Sequence, residues 1–286
     1  MNHAANIDLH CHSTASDGLL APRDVVLRAH ANGVEVLALT DHDETVGLAE
    51  AALAAKDCGM LLVNGVEVSV TWGGITVHVV GLRIDPAHPE LISGLASVRS
   101  NRLARARRMA ESLDAAGISG SLEGALAYVA NPDLISRTHF ARFLVGKGYA
   151  PDVHSVFQRY LVSGRPGYIP HQWATLADSV AWIRASGGQA VVAHPGRYKL
   201  SGVQMRELLA EFKALGGMGI EVLTGNHSPQ QAGDYARLSL EFGLLASRGS
   251  DFHGPGESRV DLGAIPRLGA DLKPVWHDWP DPPGHA

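Results

Sequence analysis

The chain has 286 residues, 45% of them hydrophobic and 19% charged, enough to bury a sizeable core as one large domain or one domain with an insertion. A formal net charge of -5 excludes a global basic field that would steer it to long duplex nucleic acid, so an anionic substrate must be held by local cations. Cys11 and Cys58 form no Cys-x-x-Cys pair, which argues against a disulfide framework or thiolate zinc site and for two buried, small apolar residues.

Residues 1–6 run straight into Ile7 without a basic and apolar signal segment, and no apolar stretch is long enough to span a membrane, so the expected location is cytoplasmic. Residues 7–12 read as a strand. A helix over 22–32 follows, opened by Pro22 and stopped by Gly33, then a strand over 34–40 and a helix over 45–57 stopped by Gly59. Residues 61–70 and 75–82 flank Trp72-Gly73-Gly74, a plausible hairpin turn. From about 90 to 164 the pattern is helical, with basic positions at Arg99, Arg102, Arg105, Arg107 and Arg108. We read 96–167 as an inserted helical subdomain between barrel segments 1–95 and 168–286.

Alternation resumes with a helix over 176–186, a strand over 189–193, a helix over 203–215, a strand over 219–223, a helix over 229–242 and a strand over 244–247. The Pro-rich tail, 276–286, is expected to be loosely ordered. The class is α/β. A (β/α) barrel with an insertion is the economical architecture, because the candidate ligands lie near the carboxyl ends of strands, where such barrels place their chemistry.

Those ligands recur. His10-Cys11-His12 projects two imidazoles to one face of a strand end, where both can bind one ion, and turns Cys11 away. Asp17 stands in a turn marked by Gly18, His42 between Asp41 and Asp43 at the next strand end, Glu67 near the end of the third strand, and His78 on the strand after the hairpin. His194 ends a later strand, and Asp251 and His253 repeat the two-residue spacing after another. Singly, a strand-end His is more often a satisfied structural residue, and an Asp beside Gly a turn former. Together they predict a polynuclear metal site. Asp8 shares strand parity with His10 and His12, and Asp41 and Asp43 flank His42; this fits carboxylates orienting the imidazoles, and fits ordinary strand-end capping equally well.

As a set, Asp8-Leu9-His10-Cys11-His12, Thr40-Asp41-His42-Asp43, Gly65-Val66-Glu67, His78, Ala193-His194-Pro195 and Gly249-Ser250-Asp251-Phe252-His253 resemble the polymerase and histidinol phosphatase (PHP) superfamily of amidohydrolase-related phosphoesterases. The resemblance implies a distorted (β/α)7 barrel with a small helical insertion and three divalent metal ions. One ion would be held by His10, His12, Glu67 and Asp251; a second by Glu67, His78 and His194; a third by Asp17, His42 and His253. Nitrogen and oxygen ligands without thiolate suit Mn, Fe or Zn better than Mg or Ca, and the resemblance favours Mn2+. Such a site would keep a charge of about +3 for a phosphate dianion. Asp251, His253, His194 and Glu67 are the expected catalytic positions for direct attack of water on phosphorus.

Within that family, Gly219-Ile220-Glu221-Val222, Asn226-His227-Ser228 and the segment 249–254 look most like bacterial 3′,5′-nucleoside bisphosphate phosphatases, which are similar to a 5′→3′ exoribonuclease of short RNA. Arg102, Arg105, Ser136, Arg137 and His139 of the insertion could reach over the barrel mouth to a second phosphate, with Arg102 and Arg137 the better candidates. Arg99, Arg105, Arg107 and Arg108 read more simply as a solvated face. An aromatic among Tyr168, His171 and Trp173 could stack on a base, with His171 the expected contact and core packing the simpler account of Trp173. The expected reaction is removal of the 3′-phosphate from a small nucleotide. Alternatives are exonucleolytic cleavage of short 5′-phosphorylated RNA, histidinol-phosphate hydrolysis, a polymerase-associated exonuclease and a non-catalytic metal-dependent binding module.

Overall fold

The computed structural model describes residues 5–279. Its strands are short aliphatic runs, buried on both faces as befits a sheet covered by helices. They are β1 (Ile7–Asp8), β2 (Val36–Leu39), β3 (Leu61–Trp72), β4 (Ile75–Leu82), β5 (Gln189–Val192), β6 (Gly219–Thr224) and β7 (Leu245–Gly249), adjacent in chain order. All neighbours pair in parallel except β4, which runs antiparallel to both β3 and β5. Leu9 N donates to Arg248 O at 3.1 Å and Asp251 N to His10 O at 2.8 Å, so the sheet curls round to meet itself. The result is the expected seven-stranded, distorted barrel.

Alternate residues of each strand serve two cores. Leu37, Leu39, Val79 and Val192 pack outward against α1 (Pro22–Ala31), α2 (Leu48–Cys58), α8 (Leu176–Ala185), α9 (Gly202–Ala214) and α10 (Pro229–Phe242). Ile7, Val36, Ala38, Val80 and Val191 face a separate inner cluster. Ser201 and Ser228 start α9 and α10 with reciprocal capping by Gln204 and Gln231, which fixes where the chain leaves the barrel mouth. Trp276 and Trp279 join the inner cluster, and Trp279 Nε1 donates to Gln189 Oε1 at 3.0 Å. The tail is therefore anchored by two buried indoles up to Trp279; residues 280–286 lie outside the described residues. Cys11 is buried as expected, while Cys58 is only partly so.

Between β4 and β5 the chain is helical. α3 (Pro89–Arg99) packs on α8 and contributes Leu91, Leu95 and Val98 to the outer core. α4 (Arg102–Ala115), α5 (Ser121–Leu126), α6 (Arg137–Gly146) and α7 (Val153–Val156) build a core of their own around Met109, Leu113, Phe140 and Leu144. No helix among the described residues is long and apolar enough to cross a membrane.

Candidate metal centre

His10 and His12 follow β1, and the Cys11 thiol between them turns away to donate to Ala38 O at 3.2 Å. The two Nε2 atoms lie 3.2 Å apart. Each is 3.4 Å from Glu67 Oε2, and they are 3.6 and 3.4 Å from Asp251 Oδ1. A tetrahedron whose centre is about 2.1 Å from each corner has edges of about 3.4 Å, so His10 Nε2, His12 Nε2 and Asp251 Oδ1 have the spacing of three ligands of one tetrahedral ion.

Glu67 does not sit near the end of its strand, as its sequence context suggests: β3 continues to Trp72 because it forms a long hairpin with β4. Glu67 lies instead where β2 stops, bridged to His42. Because β4 is antiparallel, its first half lies at the barrel end occupied by the carboxyl ends of the other strands, and this brings in His78. His78 Nδ1 and His194 Nε2 lie 2.9 and 2.8 Å from Glu67 Oε1 and 3.3 Å from each other. The remaining group is looser: Asp17 Oδ1 lies 3.9 Å from His42 Nε2 and 3.5 Å from His253 Nε2, with His12 close by. All nine expected ligand positions thus converge, in overlapping groups joined through Glu67 and His12.

The chemistry of this donor set fits cations. Glu67 Oε2, Asp251 Oδ1 and Asp17 Oδ1 are buried without a hydrogen-bond partner. His42 Nδ1 is 2.9 Å from Glu67 Oε2 but out of line for a hydrogen bond. Such orphans cost about 1–3 kcal/mol each, more when charged, unless something positive meets them. Burial alone would raise Glu67, yet the His42, His78 and His10 imidazoles hold it well below the usual carboxylate range. Burial, helped by His253 and His42, takes His12 down to about 3, and burial with Arg197 takes His194 to about 3, so both keep free lone pairs. His10 and His42 go the other way. Against burial, Glu221 and Glu67 hold His10 well above its ordinary value, and Glu67 and Asp17 raise His42 to about 9. Without metal these two imidazoles carry positive charge where cations would sit, and cation binding must expel their protons.

Asp8, Asp41 and Asp43 take the second of the two roles open to them and cap neighbouring backbone and side-chain donors. Asp8 accepts from Ser250 N at 2.8 Å and Gly263 N at 2.9 Å. Asp41 accepts from Ser13 N and Oγ at 2.7 Å and Ser16 Oγ at 2.6 Å, and Asp43 from Ser69 N at 2.7 Å and from Arg102. The imidazole is oriented by Glu221, whose Oε1 accepts from His10 Nδ1 at 2.8 Å and whose Oε2 accepts from His194 N at 2.5 Å. Its sequence signal was a lone carboxylate inside the apolar run Gly219-Ile220-Glu221-Val222-Leu223. Glu221→Gln should therefore weaken Mn2+ binding by about 10–100-fold, read by calorimetric titration; unchanged affinity would leave Glu221 a bystander.

Asp43, His194 and Asp251 adopt φ of 51°, 25° and 55°, a region that non-glycine residues enter only where surroundings enforce it. For Asp251 both backbone and side chain are held: its N donates to His10 O at 2.8 Å. Arg197 Nη1 and Asn226 Nδ2 donate to its Oδ2 at 2.7 and 3.2 Å. Arg197 was not singled out from sequence, because an Arg after His194-Pro195-Gly196 carries no spacing signal of its own.

Above the metal groups lies a cavity of about 80 Å³ lined by Arg102, Arg105, Arg137, Arg197, Ser136 and Trp173. Arg102 and Arg105 stack over Trp173 at 4.7 and 5.2 Å, and Arg137 lies over Phe157 at 5.5 Å. Arg105 is thus buried rather than on a solvated face, and Arg99 Nη1 donates to Asp43 O at 2.6 Å. Arg107 and Arg108 are exposed. Two expected substrate contacts are not brought to this cavity. His139 is buried, accepts from Ser136 N at 3.0 Å and completes the cap of α6. His171 lines a second cavity of about 220 Å³ across Trp173, with Asn101, Thr175, Asp178 and Trp182.

Residues 8–224 match the PHP domain, a span that takes in every ligand position described except Asp251 and His253. The chain belongs to the PHP family. It is 53% identical over 274 residues to a 3′,5′-nucleoside bisphosphate phosphatase of Chromobacterium violaceum, covering 96% of each chain. It is 42% identical over 269 residues to a 5′-3′ exoribonuclease of Haemophilus influenzae, covering 94% of this chain and 97% of that one. Among solved structures, an amidohydrolase from Chromobacterium violaceum with bound sulfate and no metal superposes with a TM-score of 0.93 at 53% identity over 95% of each chain. The PHP chain is accordingly a hydrolase of phosphoester bonds.

Proposed function

We propose that the protein removes the 3′-phosphate of nucleoside 3′,5′-bisphosphates, giving the nucleoside 5′-monophosphate, with residues 96–167 as a cap over the barrel formed by 1–95 and 168–286. The observation that carries this reading is the stacking of an arginine-lined cavity directly over nine converging metal-type donors. His10, His12, Asp17, His42, Glu67, His78, His194, Asp251 and His253 would hold three divalent ions, Mn2+ before Fe2+ or Zn2+. Bound there, the ions would supply an acidified water and charge neutralisation of the phosphoryl group.

The chain's own part is placement. Glu67, His194, Asp251 and His253 would stand around the ions that meet the phosphoryl group, and Glu221 and Arg197 hold the side chains of His10 and Asp251 in place. Arg137 and Arg197, both in the lining of the cavity with Ser136 and Arg102, offer planar forks for the second phosphate of a bisphosphate. The 53% identity to a bisphosphate phosphatase supports the same choice.

A second reading, 5′→3′ cleavage of short 5′-phosphorylated RNA, is favoured by the larger cavity beyond Trp173, which has room for a further base. The test compares adenosine 3′,5′-bisphosphate, a 5′-phosphorylated RNA oligomer and histidinol phosphate with Mn-loaded protein. Phosphate and AMP from the bisphosphate support the proposal, and mononucleotides from RNA alone support the second reading. Turnover of none points to a metal-dependent binding module. Asp251→Ala should abolish whichever activity appears while leaving the fold intact, since Asp251 lies in the loop end of the barrel; near-native activity would reject the ligand set.

A further inference from the structure

Hydrogen bonds from residues 96–167 to the barrel loops are not spread evenly over the metal-type donors. Ser136 Oγ donates to Asp17 Oδ2 at 3.1 Å, and Arg142 Nη2 donates to the Asp17 carbonyl at 2.6 Å. Arg142 also forks onto Glu257, with Nε and Nη2 each 2.8 Å from a carboxylate oxygen. Glu257 stands in the turn after His253, where Ser258 Oγ accepts from His253 N at 2.7 Å. On the other side Arg102 pairs with Asp43 and Arg99 binds the Asp43 carbonyl, immediately after His42.

Asp17, His42 and His253 are therefore each reached from the helical segment, directly or through the next few residues. His10 and His194 are instead held by Glu221, His78 N by the Tyr198 hydroxyl at 2.8 Å, and Asp251 by Arg197 and Asn226, all barrel residues. One further bond, Arg102 Nη2 to Ser69 Oγ at 3.3 Å, reaches the Glu67 strand, on a hydroxyl already donating to Asp43. The uneven pattern matches the spacing of the donors. The Asp17 group, at 3.5–3.9 Å, is the loosest of the three, because its members sit on three separate loops. A group of that kind needs an outside brace, and a buried guanidinium gripping two of the loops at once is one.

We infer that Arg142, braced by Glu257, is the positioning residue of the Asp17–His42–His253 group, so that the helical segment sets the affinity of one cation and leaves the other two alone. The inference rests on the three-ion reading proposed above. A buried ion pair is weak support for stability but a strong geometric constraint, since the fork fixes both distance and plane. The segment that covers the substrate cavity would then also build the cation that faces it, and cap and third ion would be gained or lost together.

The test is stepwise Mn2+ titration by calorimetry, with bound metal counted by elemental analysis, on the native chain, Glu257→Gln and the double variant Arg142→Met/Glu257→Gln. The double variant removes both charges, so neither is left buried and unpaired. The expected result is two cations bound with native affinity and a third weakened by about 10–100-fold in both variants. A purely structural brace would loosen all three steps in proportion, and that outcome, or three unchanged steps, overturns the inference. Should the double variant fail to fold, Glu257→Gln alone is read in the same way, because Glu257 is partly exposed. A native chain that saturates at two ions overturns the three-ion reading and this inference together, whereas three ions bound with the same affinities in native and variant chains overturn the inference alone.

Discussion

Glu67→Gln is expected to lower phosphoester hydrolysis by about 10³-fold and to abolish the gain in melting temperature expected of the native chain with Mn2+. The reason is that Glu67 faces two groups at once. Its Oε1 lies 2.9 and 2.8 Å from His78 and His194, and its Oε2 lies 3.4 Å from both His10 and His12. Glutamine keeps the shape but offers one neutral oxygen and a donating amide, so one side would point N–H bonds at a cation. The native carboxylate is held ionised by His42, His78 and His10 against its complete burial, which is the behaviour of an anion meant to meet positive charge. A ligand at a hundred times its dissociation constant stabilises a protein by about 2.7 kcal/mol, and that increment is what differential scanning fluorimetry should no longer find. Retained Mn2+ stabilisation together with native turnover would remove Glu67 from the centre of the site.

Gly249→Ala should destabilise the fold by about 1–3 kcal/mol and cost about 100-fold in turnover, although Gly249 is no donor of any kind. A Cβ on Gly249 would stand 2.2 Å from His10 Cβ and 2.7 Å from His10 N. The contact is with backbone as well as side chain, so it cannot be relieved by a rotamer change, and β7 must move away from the segment after β1. That shift carries His10 off its place relative to Asp251, and a misplacement near 1 Å is enough for the predicted loss. Denaturant melts and phosphate release measure the two effects. An alanine variant of native stability and rate would show that the two segments can separate freely.

The fold was legible because its strands are apolar runs of the right length, and the helices between them carry their own start signals, such as Pro22, Ser201 and Ser228. Where the reading slipped, long-range pairing was responsible. Gly73-Gly74 marks the β3–β4 hairpin and with it the antiparallel course of β4, but nothing local shows that β4 goes on to pair antiparallel with β5, or that Glu67 falls opposite His42 beyond the end of β2. The metal-type residues were readable from their two-residue spacings and strand-end placement. Their supports were not, since a carboxylate on the correct face, such as Asp8, can bond to backbone N–H groups while Glu221, far along the chain, takes the imidazole. Likewise Arg142 is one of many arginines in a helical stretch, and only the packing of α6 reveals its grip on Asp17 and Glu257.

The meeting of β1 with the loop after β7 also has a bearing on biosynthesis. Asp8 and Ser250, hydrogen-bonded at 2.8 Å, are 242 positions apart, and the pair His10 and His12 faces Asp251 across the same join. While the ribosome is still translating the intervening helices, the first two imidazoles have no carboxylate opposite them and half a coordination sphere. The group made by His10, His12 and Asp251 is therefore completed only when nearly the whole polypeptide has emerged and the barrel has wrapped round, and a prematurely terminated product would lack it.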